Sequence, residues 1–380
     1  MMGMIAGVCV PLFLSVCISS GSPFQYVREG QSITIRGYLG PPGQVEIPQT
    51  IDGCPVTKID QQAFRENLAV TSVILPLEVT HIGDQAFWGC GNLSSIVLPP
   101  RLSHLGKEVF SYCGRLSGIE IPAGLKEIPA STFEHCDSLY EIKLPNGILS
   151  IGTHAFANCE MLVKVHIPAG VKTIENYAFH GCLQLTSVRL FPGLTHIGNY
   201  AFAHCQKLDD ISLPEGLISL GSHVFLNCRK VPSVVMPASL TQFGKHAFKG
   251  CEGLARVVFS PVLQEIPDHA FWGCLALEEI TVPKEVVDIG EEAFRDCQRL
   301  KEICLPVKLR RIGKRAFENC SNLKQLSVPS SVQSVGDGAF LGCKQLEVLE
   351  MPIALLVVGP RSEFEVPKGT KVRPVAITTP

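Results

Sequence analysis

A phenylalanine recurs at a constant interval of 23 residues along most of this 380-residue chain. The series consists of Phe64, Phe87, Phe110, Phe133, Phe156, Phe179, Phe202, Phe225, Phe248, Phe271, Phe294, Phe317 and Phe340. A fixed period of this length, kept without an insertion, is typical of a solenoid in which each unit is one coil that contacts only its neighbours. The sequence therefore predicts thirteen stacked coils.

Each unit contains a short segment in which apolar residues alternate before a proline. In the segment 93–99, Leu-Ser-Ser-Ile-Val-Leu-Pro, Ile96 and Leu98 alternate with Ser95 and Val97, and Pro99 follows. Alternation with a period of two indicates a strand with one buried face, and a proline is best tolerated where the strand ends. We expect parallel strands on the concave face of a curved solenoid.

The second half of a typical unit contains an Ile-Gly pair and then an Ala-Phe pair, as in Ile82-Gly83 and Ala86-Phe87. We expect the glycine to supply a backbone angle that other residues disfavour. The Ala-Phe pair is expected on a single helical or 3₁₀ turn, with the phenylalanine filling the core.

Twelve of the sixteen cysteines lie three residues after the repeated phenylalanine. Equivalent positions in stacked coils point in the same direction, so their Cβ vectors do not converge as a disulfide requires. We predict a ladder of buried thiols, each able to donate a weak hydrogen bond. Cys304 is different, because it occupies an outward strand position and is expected to be exposed.

The order of strand, proline, Ile-Gly, Ala-Phe and cysteine resembles the BspA-type, or Treponema pallidum-type, leucine-rich repeat. Residues 277–283, Leu-Glu-Glu-Ile-Thr-Val-Pro, and 288–297, Asp-Ile-Gly-Glu-Glu-Ala-Phe-Arg-Asp-Cys, carry the whole pattern. This class is known from surface antigens of bacteria and some parasitic protists. The resemblance covers residues 30–370 and implies an α/β solenoid: a curved horseshoe with short helical turns between its strands, capped at both ends.

The ends of the chain depart from the repeat. The first 27 residues carry no charge and include an apolar run from Met4 to Ile18, which is typical of a signal peptide. We expect a signal peptide at 1–21, an N-terminal β cap at 22–58, the solenoid at 59–358, and a C-terminal cap and tail at 359–380. The chain is then secreted or displayed on the cell surface, and a lipobox-like segment ending at Cys17 leaves lipid anchoring open.

The N-terminal cap is expected to be a hairpin or half-coil built on Ile33, Ile35, Val45 and Ile47. At the other end, the segment 364–367, Phe-Glu-Val-Pro, is expected to form a closing strand. Such caps are needed because an uncapped solenoid exposes its core.

The composition argues for binding and against several other functions. A net charge of −2 with interleaved signs provides no electrostatic footprint for nucleic acid. Past the leader, no apolar run is long enough for an integral membrane protein. No HExxH, P-loop or GxSxG motif is present, so we expect neither an enzyme nor a cofactor. We expect a monomeric adhesion or recognition scaffold for protein or glycan partners; the alternative is a structural spacer with no specific ligand.

Two columns of equivalent outward positions are candidates for function. The first is a mixed-charge column on the expected concave face, where solenoids commonly bind ligands. It comprises Glu120, Lys143, His166 and Arg189, flanked by Glu141 and Lys164.

The second column lies two residues before the repeated phenylalanine. It reads His154, Tyr177, Tyr200, His223, His246, His269. His223, His246 and His269 are candidate Zn²⁺ ligands if their side chains converge on one point. The alternatives are an aromatic contact strip and ordinary drift among tolerated polar residues.

Overall fold

The computed structural model describes residues 22–358 and 365–375. The expected signal peptide, 1–21, and part of the expected C-terminal cap and tail therefore lie outside the described residues. The described chain forms a parallel β-solenoid of about fifteen turns of about 23 residues. Among the described residues there is one α-helix, α1 (Ile353–Val358). The expectation of an α/β solenoid with helical turns is wrong in this respect, since the repeats consist of short strands and turns with nearly no helix.

The N-terminal cap consists of a hairpin joined to a first, irregular coil. Its strands are β1 Phe24–Glu29, β2 Ser32–Tyr38, β3 Gly43–Glu46, β4 Thr50–Ile51 and β5 Cys54–Ile59. β1 pairs with β2 in antiparallel fashion, whereas β2 pairs with β5 in parallel, and β3 pairs with β6 of the repeats. The four expected cap residues are all buried; Ile33 and Ile35 lie on β2, Val45 lies on β3 and Ile47 directly follows β3. A hairpin and an irregular coil are thus both present in this segment.

Two short strands recur in nearly every repeat that follows. They are β6 Val70–Ile74, β7 His81–Ile82, β8 Ser95–Val97, β9 His104–Leu105, β10 Glu127–Ile128, β11 Glu141–Lys143, β12 Ser150–Ile151, β13 Lys164–His166, β14 Thr173–Ile174, β15 Ser187–Val188, β16 His196–Ile197, β17 Asp210–Ile211, β18 Ser219–Leu220, β19 Ser233–Val235, β20 Gln242–Phe243, β21 Arg256–Val258, β22 Glu265–Ile266, β23 Glu279–Thr281, β24 Asp288–Ile289, β25 Glu302–Cys304, β26 Arg311–Ile312, β27 Gln325–Ser327 and β28 Ser334–Val335.

The strands that precede each proline form the first ladder, which we call the strand ladder. Its parallel register advances by one repeat, so that Glu141 pairs with Lys164 and Lys143 pairs with His166. In the three-residue strands the middle side chain is buried and the two outer ones are exposed, as the alternation predicts. Pairing is interrupted between β8 and β11, between β17 and β19, between β21 and β23 and between β25 and β27.

The second ladder contains the Ile-Gly pairs, and here the expected role of glycine is wrong. Gly198 does not have a positive φ angle. A Cβ atom at this position would instead lie 2.5 Å from the backbone nitrogen of Asn176 in the preceding coil. The glycine is required because two backbones approach closely, and a missing side chain permits that contact.

The Ala-Phe segment is a hydrogen-bonded turn rather than a helical or 3₁₀ turn. On either side of Phe156, His154 and Asn158 adopt left-handed φ angles of 57° and 58°. The N–H groups of these three residues donate to carbonyl oxygens of the next coil at 3.0, 2.8 and 2.7 Å. A helix cannot continue through alternating left-handed residues, and its N–H groups would be used within the helix. These turns form the turn column.

Hydrogen bonds of the turn column join the coils from Phe64 to Phe340 without a gap. The strand ladder on the other side is interrupted three times between β17 and β27. Hydrogen bonding between coils is therefore more continuous along the turn column than along the strand ladder. The placement of the strands on a concave surface remains a prediction.

The phenylalanine rings form a continuous buried stack. Centroids of Phe156 and Phe179 are 5.2 Å apart with an interplanar angle of 1°. Burial of each side chain contributes on the order of 1.5–3 kcal/mol to folding.

The predicted thiol ladder is confirmed. Cys182 is fully buried, and its Sγ donates to the carbonyl oxygen of Phe156 in the preceding coil at 3.2 Å. The same contact recurs at each of the twelve repeat cysteines. Burial raises the pKa of the Cys90 thiol to about 12, so these thiols stay protonated. Cys304 is exposed, as expected.

The C-terminal end closes with β29 (Val348–Pro352), helix α1 and β30 (Lys371–Val375), which pairs with β29 in parallel. The expected closing strand at 364–367 is wrong. Phe364 lies outside the described residues, and residues 365–367 are not a strand. The closing strand comes later, because a turn at Pro367 and Gly369 separates the two segments.

Candidate functional site

The exposed outer residues of the strand ladder form a continuous surface, which we call the strand face. Five of the six candidate ligand residues lie close together on it. Glu141 and Lys143 are on β11, Lys164 and His166 are on β13, and Arg189 directly follows β15. All five are exposed. The sixth, Glu120, is also exposed, but no strand forms at its position in the strand ladder.

The contacts within this group leave its two lysines without an ion pair among the described residues. His166 Nε2 lies 2.7 Å from Glu141 Oε1, so the only carboxylate on β11 and β13 is already engaged. The guanidinium carbon of Arg189 lies 4.8 Å from the ring centroid of Phe191. Across the described residues, the ammonium groups of Lys143 and Lys164 have no ion pair or side-chain hydrogen bond. The result is a cationic cluster of Lys143, Lys164 and Arg189.

Some charges elsewhere on the coils are paired with a neighbouring coil. Lys301 lies 2.8 Å from Glu278, one coil earlier, and Lys308 lies 2.6 Å from Glu285 in the same way. Such exposed pairs contribute little to stability, about 0–1 kcal/mol each. Because these charges are paired, they are less available to a binding partner than the unpaired cations of the strand face between β11 and β15.

The strand face continues into an apolar part, as the sequence also indicates, and then into an acidic part that our sequence reasoning did not recognise. Val235 is 59% exposed and Val258 is 38% exposed. Beyond them, Glu279 and Glu302 are neighbouring partners on β23 and β25. Reading the first strand position every 23 residues would have revealed this change of charge.

An open cleft of about 760 Å³ lies where the strand ladder is interrupted between β21 and β23. Its walls combine apolar surface with charge of both signs. The lining includes Arg256, Val258, Phe259, Glu279, Thr281 and Lys284. This mixture suits a protein surface better than a small apolar molecule, which prefers an enclosed, mostly apolar pocket.

The second candidate column, running from His154 to His269, is a stack of six parallel rings. Successive centroids are 4.7, 4.7, 4.3, 4.3 and 4.3 Å apart. Each of these residues has a left-handed φ angle, which histidine and asparagine tolerate better than most side chains. The structure therefore supplies a local reason for the histidines in this column.

Face-to-face stacking is unfavourable for a shared metal ion. The rings of His223 and His246 are inclined by 9°, and those of His246 and His269 by 6°, so their nitrogens run side by side instead of converging. In residues 22–358 and 365–375, no group of three or more histidine, cysteine, aspartate or glutamate side chains is placed to hold a metal ion.

The stacked histidines should make stability depend on pH. Burial, followed by the neighbouring His269 and His223, lowers the pKa of His246 from 6.5 to about 4. Between these pH values the unfolded chain binds more protons than the folded chain, so the free energy of unfolding falls as the pH falls. Because the ring is partly exposed, we expect a loss of about 1 kcal/mol after solvent screening.

Urea unfolding at pH 7 and pH 4 measures this effect. His246→Gln should reduce the difference between the two pH values, whereas His196→Gln, at an exposed site outside the stack, should leave it unchanged. Equal pH dependence in the His246 variant and the parent chain would show that the stack is not responsible.

Trp272 is held in place by surrounding charges. The Nζ atom of Lys249 lies 3.5 Å from the ring centroid, and the guanidinium carbon of Arg295 lies 5.0 Å from it. The indole Nε1 donates to Asp296 at 2.9 Å. This tryptophan is therefore part of the turn column's internal packing.

Comparison with known proteins identifies the family of this chain. A family model described as the BspA type leucine rich repeat region, in six copies, matches residues 57–186, 172–288 and 264–362. The chain belongs to this family. No curated protein sequence matches it.

Two solved structures of leucine-rich proteins match nearly the whole chain. A leucine-rich repeat protein from Bacteroides ovatus is 29% identical, with a TM-score of 0.73, over 93% of this chain and 99% of that one. A leucine-rich cell surface protein from Faecalibacterium prausnitzii is 26% identical, with a TM-score of 0.57, over 94% and 99%. BspA-type repeats imply a protein-interaction scaffold, and neither match indicates a catalytic family. None of the described helices is long and apolar enough to cross a membrane.

Proposed function

We propose that this BspA-type protein is a non-enzymatic recognition or adhesion scaffold that binds a protein or glycan partner through its strand face. The contact is centred on the cationic cluster of Lys143, Lys164 and Arg189. Glu141 and His166 flank the cluster and contact each other, and Glu120 marks its N-terminal limit.

The observation that carries this proposal is a group of exposed cations on a regular backbone that form no ion pair with any other described residue. Strand pairing fixes the Cα positions of β11 and β13, so the side chains are presented without the cost of ordering a loop. Charged groups arranged in this way favour encounter with a partner of opposite charge. Acidic proteins and acidic glycans have the required chemistry.

We also propose that the chain acts outside the cell, either secreted or attached at the surface. The apolar leader supports export, and the relative from Faecalibacterium prausnitzii is described as a cell surface protein. An exported scaffold would meet its partners in the surroundings of the cell.

A binding assay on an array of purified proteins and glycans tests the proposal. The variant with both Lys143→Glu and Arg189→Glu should bind at least about tenfold more weakly than the parent chain, because attraction becomes repulsion at two sites. The matched control carries Lys107→Glu and Lys314→Glu, the same change in charge at exposed positions outside the strand face, and should bind like the parent.

The structural spacer is the other outcome of this assay. If the parent chain binds nothing on the array, or if the strand-face variant and the control bind equally well, the strand face is not a recognition surface.

A further inference from the structure

The charges of the strand face change sign in a regular order on the two sides of β19. One coil away from Ser233, Asp210 lies on the N-terminal side and Arg256 on the C-terminal side. Two coils away from Ser233, Arg189 lies on the N-terminal side and Glu279 on the C-terminal side. At three coils, the two charges are Lys164 and Glu302. At each distance the two sides carry opposite charges.

We propose that the strand face binds a second copy of this chain in an antiparallel arrangement, which requires this face to be flat over the coils in contact and not concave as the resemblance to the repeat family implies. This inference rests on the proposed function, because it takes the strand face as the binding surface and names the partner. A two-fold axis that runs parallel to β19 reverses the order of the coils and preserves the direction of the strands. Each first-position residue then meets a first-position residue of the other copy.

The order of charges along the strand face brings opposite charges of the two copies together across this axis. Lys164 faces Glu302 of the second copy, and Asp210 faces Arg256 of the second copy. Arg189, at the third strand position, reaches Glu279, which is offset by two residues along the strand, about 6.6 Å. Because a two-fold contact is self-complementary, each of these pairs forms twice.

The six side chains are available for these contacts. All are exposed. In the part of the chain that the structure describes, none of them makes an ion pair or a side-chain hydrogen bond, and Arg189 contacts only the ring of Phe191. Pairing between copies therefore breaks no ion pair within a copy. This separates the six from Lys301 and Glu278, which already neutralise each other.

The centre of the arrangement is apolar. Val235, 59% exposed, lies next to the axis and meets its own counterpart, while Val258 meets Ser212 of the second copy. An apolar centre with a charged rim is the usual anatomy of a protein interface. The contact extends over seven coils, roughly 29 Å at the spacing of parallel strands. A strip of this size produces a weak, reversible association, so the chain is monomeric when dilute and paired when crowded.

Sedimentation equilibrium of the full chain at low ionic strength, from micromolar to millimolar concentration, tests the proposal. The parent chain should dimerise, and salt should weaken the dimer. Arg189→Glu and Glu279→Arg should each raise the dimer Kd by at least about tenfold, because each creates two like-charge contacts. An equimolar mixture of these two variants should associate again, since the glutamate introduced in one variant meets the arginine introduced in the other. The double variant should also recover the parent Kd to within about threefold.

Lys107→Glu, outside the strand face, is the control and should leave the Kd unchanged. Sedimentation as a monomer at all concentrations, or failure of both the mixture and the double variant to restore association, overturns the self-pairing. If the chain stays monomeric yet binds an array partner that is lost with Lys143→Glu and Arg189→Glu, self-pairing is wrong and the proposed function stands.

Discussion

Replacing Phe179 by alanine is expected to lower the free energy of unfolding by about 4 kcal/mol. The ring is fully buried and lies 5.2 Å from Phe156 and 5.3 Å from Phe202, measured between centroids. Truncation removes the apolar burial of one ring and leaves a cavity between two others, and buried phenylalanines typically cost about 3–5 kcal/mol when truncated. Urea unfolding followed by circular dichroism measures the change.

Phe191→Ala provides the matched control. Phe191 is partly exposed at the end of a strand and contacts Arg189, so its loss should cost about 1 kcal/mol. Equal losses in the two variants would contradict the assignment of stability to the ring stack.

Gly198→Ala is expected to destabilise the chain by about 3 kcal/mol. The added Cβ would lie 2.5 Å from the Asn176 backbone nitrogen and 2.7 Å from the Glu175 carbonyl carbon. Both atoms belong to the backbone of the preceding coil. A backbone held by ladder hydrogen bonds cannot rotate away as a side chain can, so the two coils must separate. Thermal and urea unfolding should both report the loss.

Gly118 offers a control with the same substitution. A Cβ at Gly118 meets no atom within 4 Å, and its φ angle is not positive. Gly118→Ala should be neutral or stabilise the chain by about 0.5 kcal/mol, because alanine restricts the unfolded state. If both alanine variants are equally stable, close approach is not the reason for the Ile-Gly pair.

The repeat period was sufficient to predict the positions that face the core. A residue that recurs at one place in every coil has the same surroundings each time, so the burial of Phe156 and Cys182 follows from spacing alone. The exposure of Lys143 and Arg189 follows from strand alternation in the same way.

Backbone conformation could not be predicted from the same pattern. Glycine at Gly198 and histidine at His154 both have backbone explanations, but the left-handed angle belongs to the histidine and the close approach belongs to the glycine. Side-chain periodicity reports which face is buried and carries no information on the sign of φ. The contact between His166 and Glu141 also required the structure, because it runs diagonally between coils.

The hydrogen bonds between coils give the solenoid a direction. At Phe179 the amide donates forward to Ala201, whereas the thiol of Cys182 donates backward to Phe156. Removing a coil from the C-terminal side would strip acceptors from three amides of the coil before it, each costing about 1–3 kcal/mol if left unsatisfied. Removing one from the N-terminal side would strip acceptors from a thiol, which is a weak donor, and from amides outside the turn column, such as Gly198, which donates to Ile174, and Thr195, which donates to Lys172. The two ends therefore expose different sets of donors, turn-column amides at the C-terminal end and ladder amides with a thiol at the N-terminal end, and each end needs a cap of its own kind.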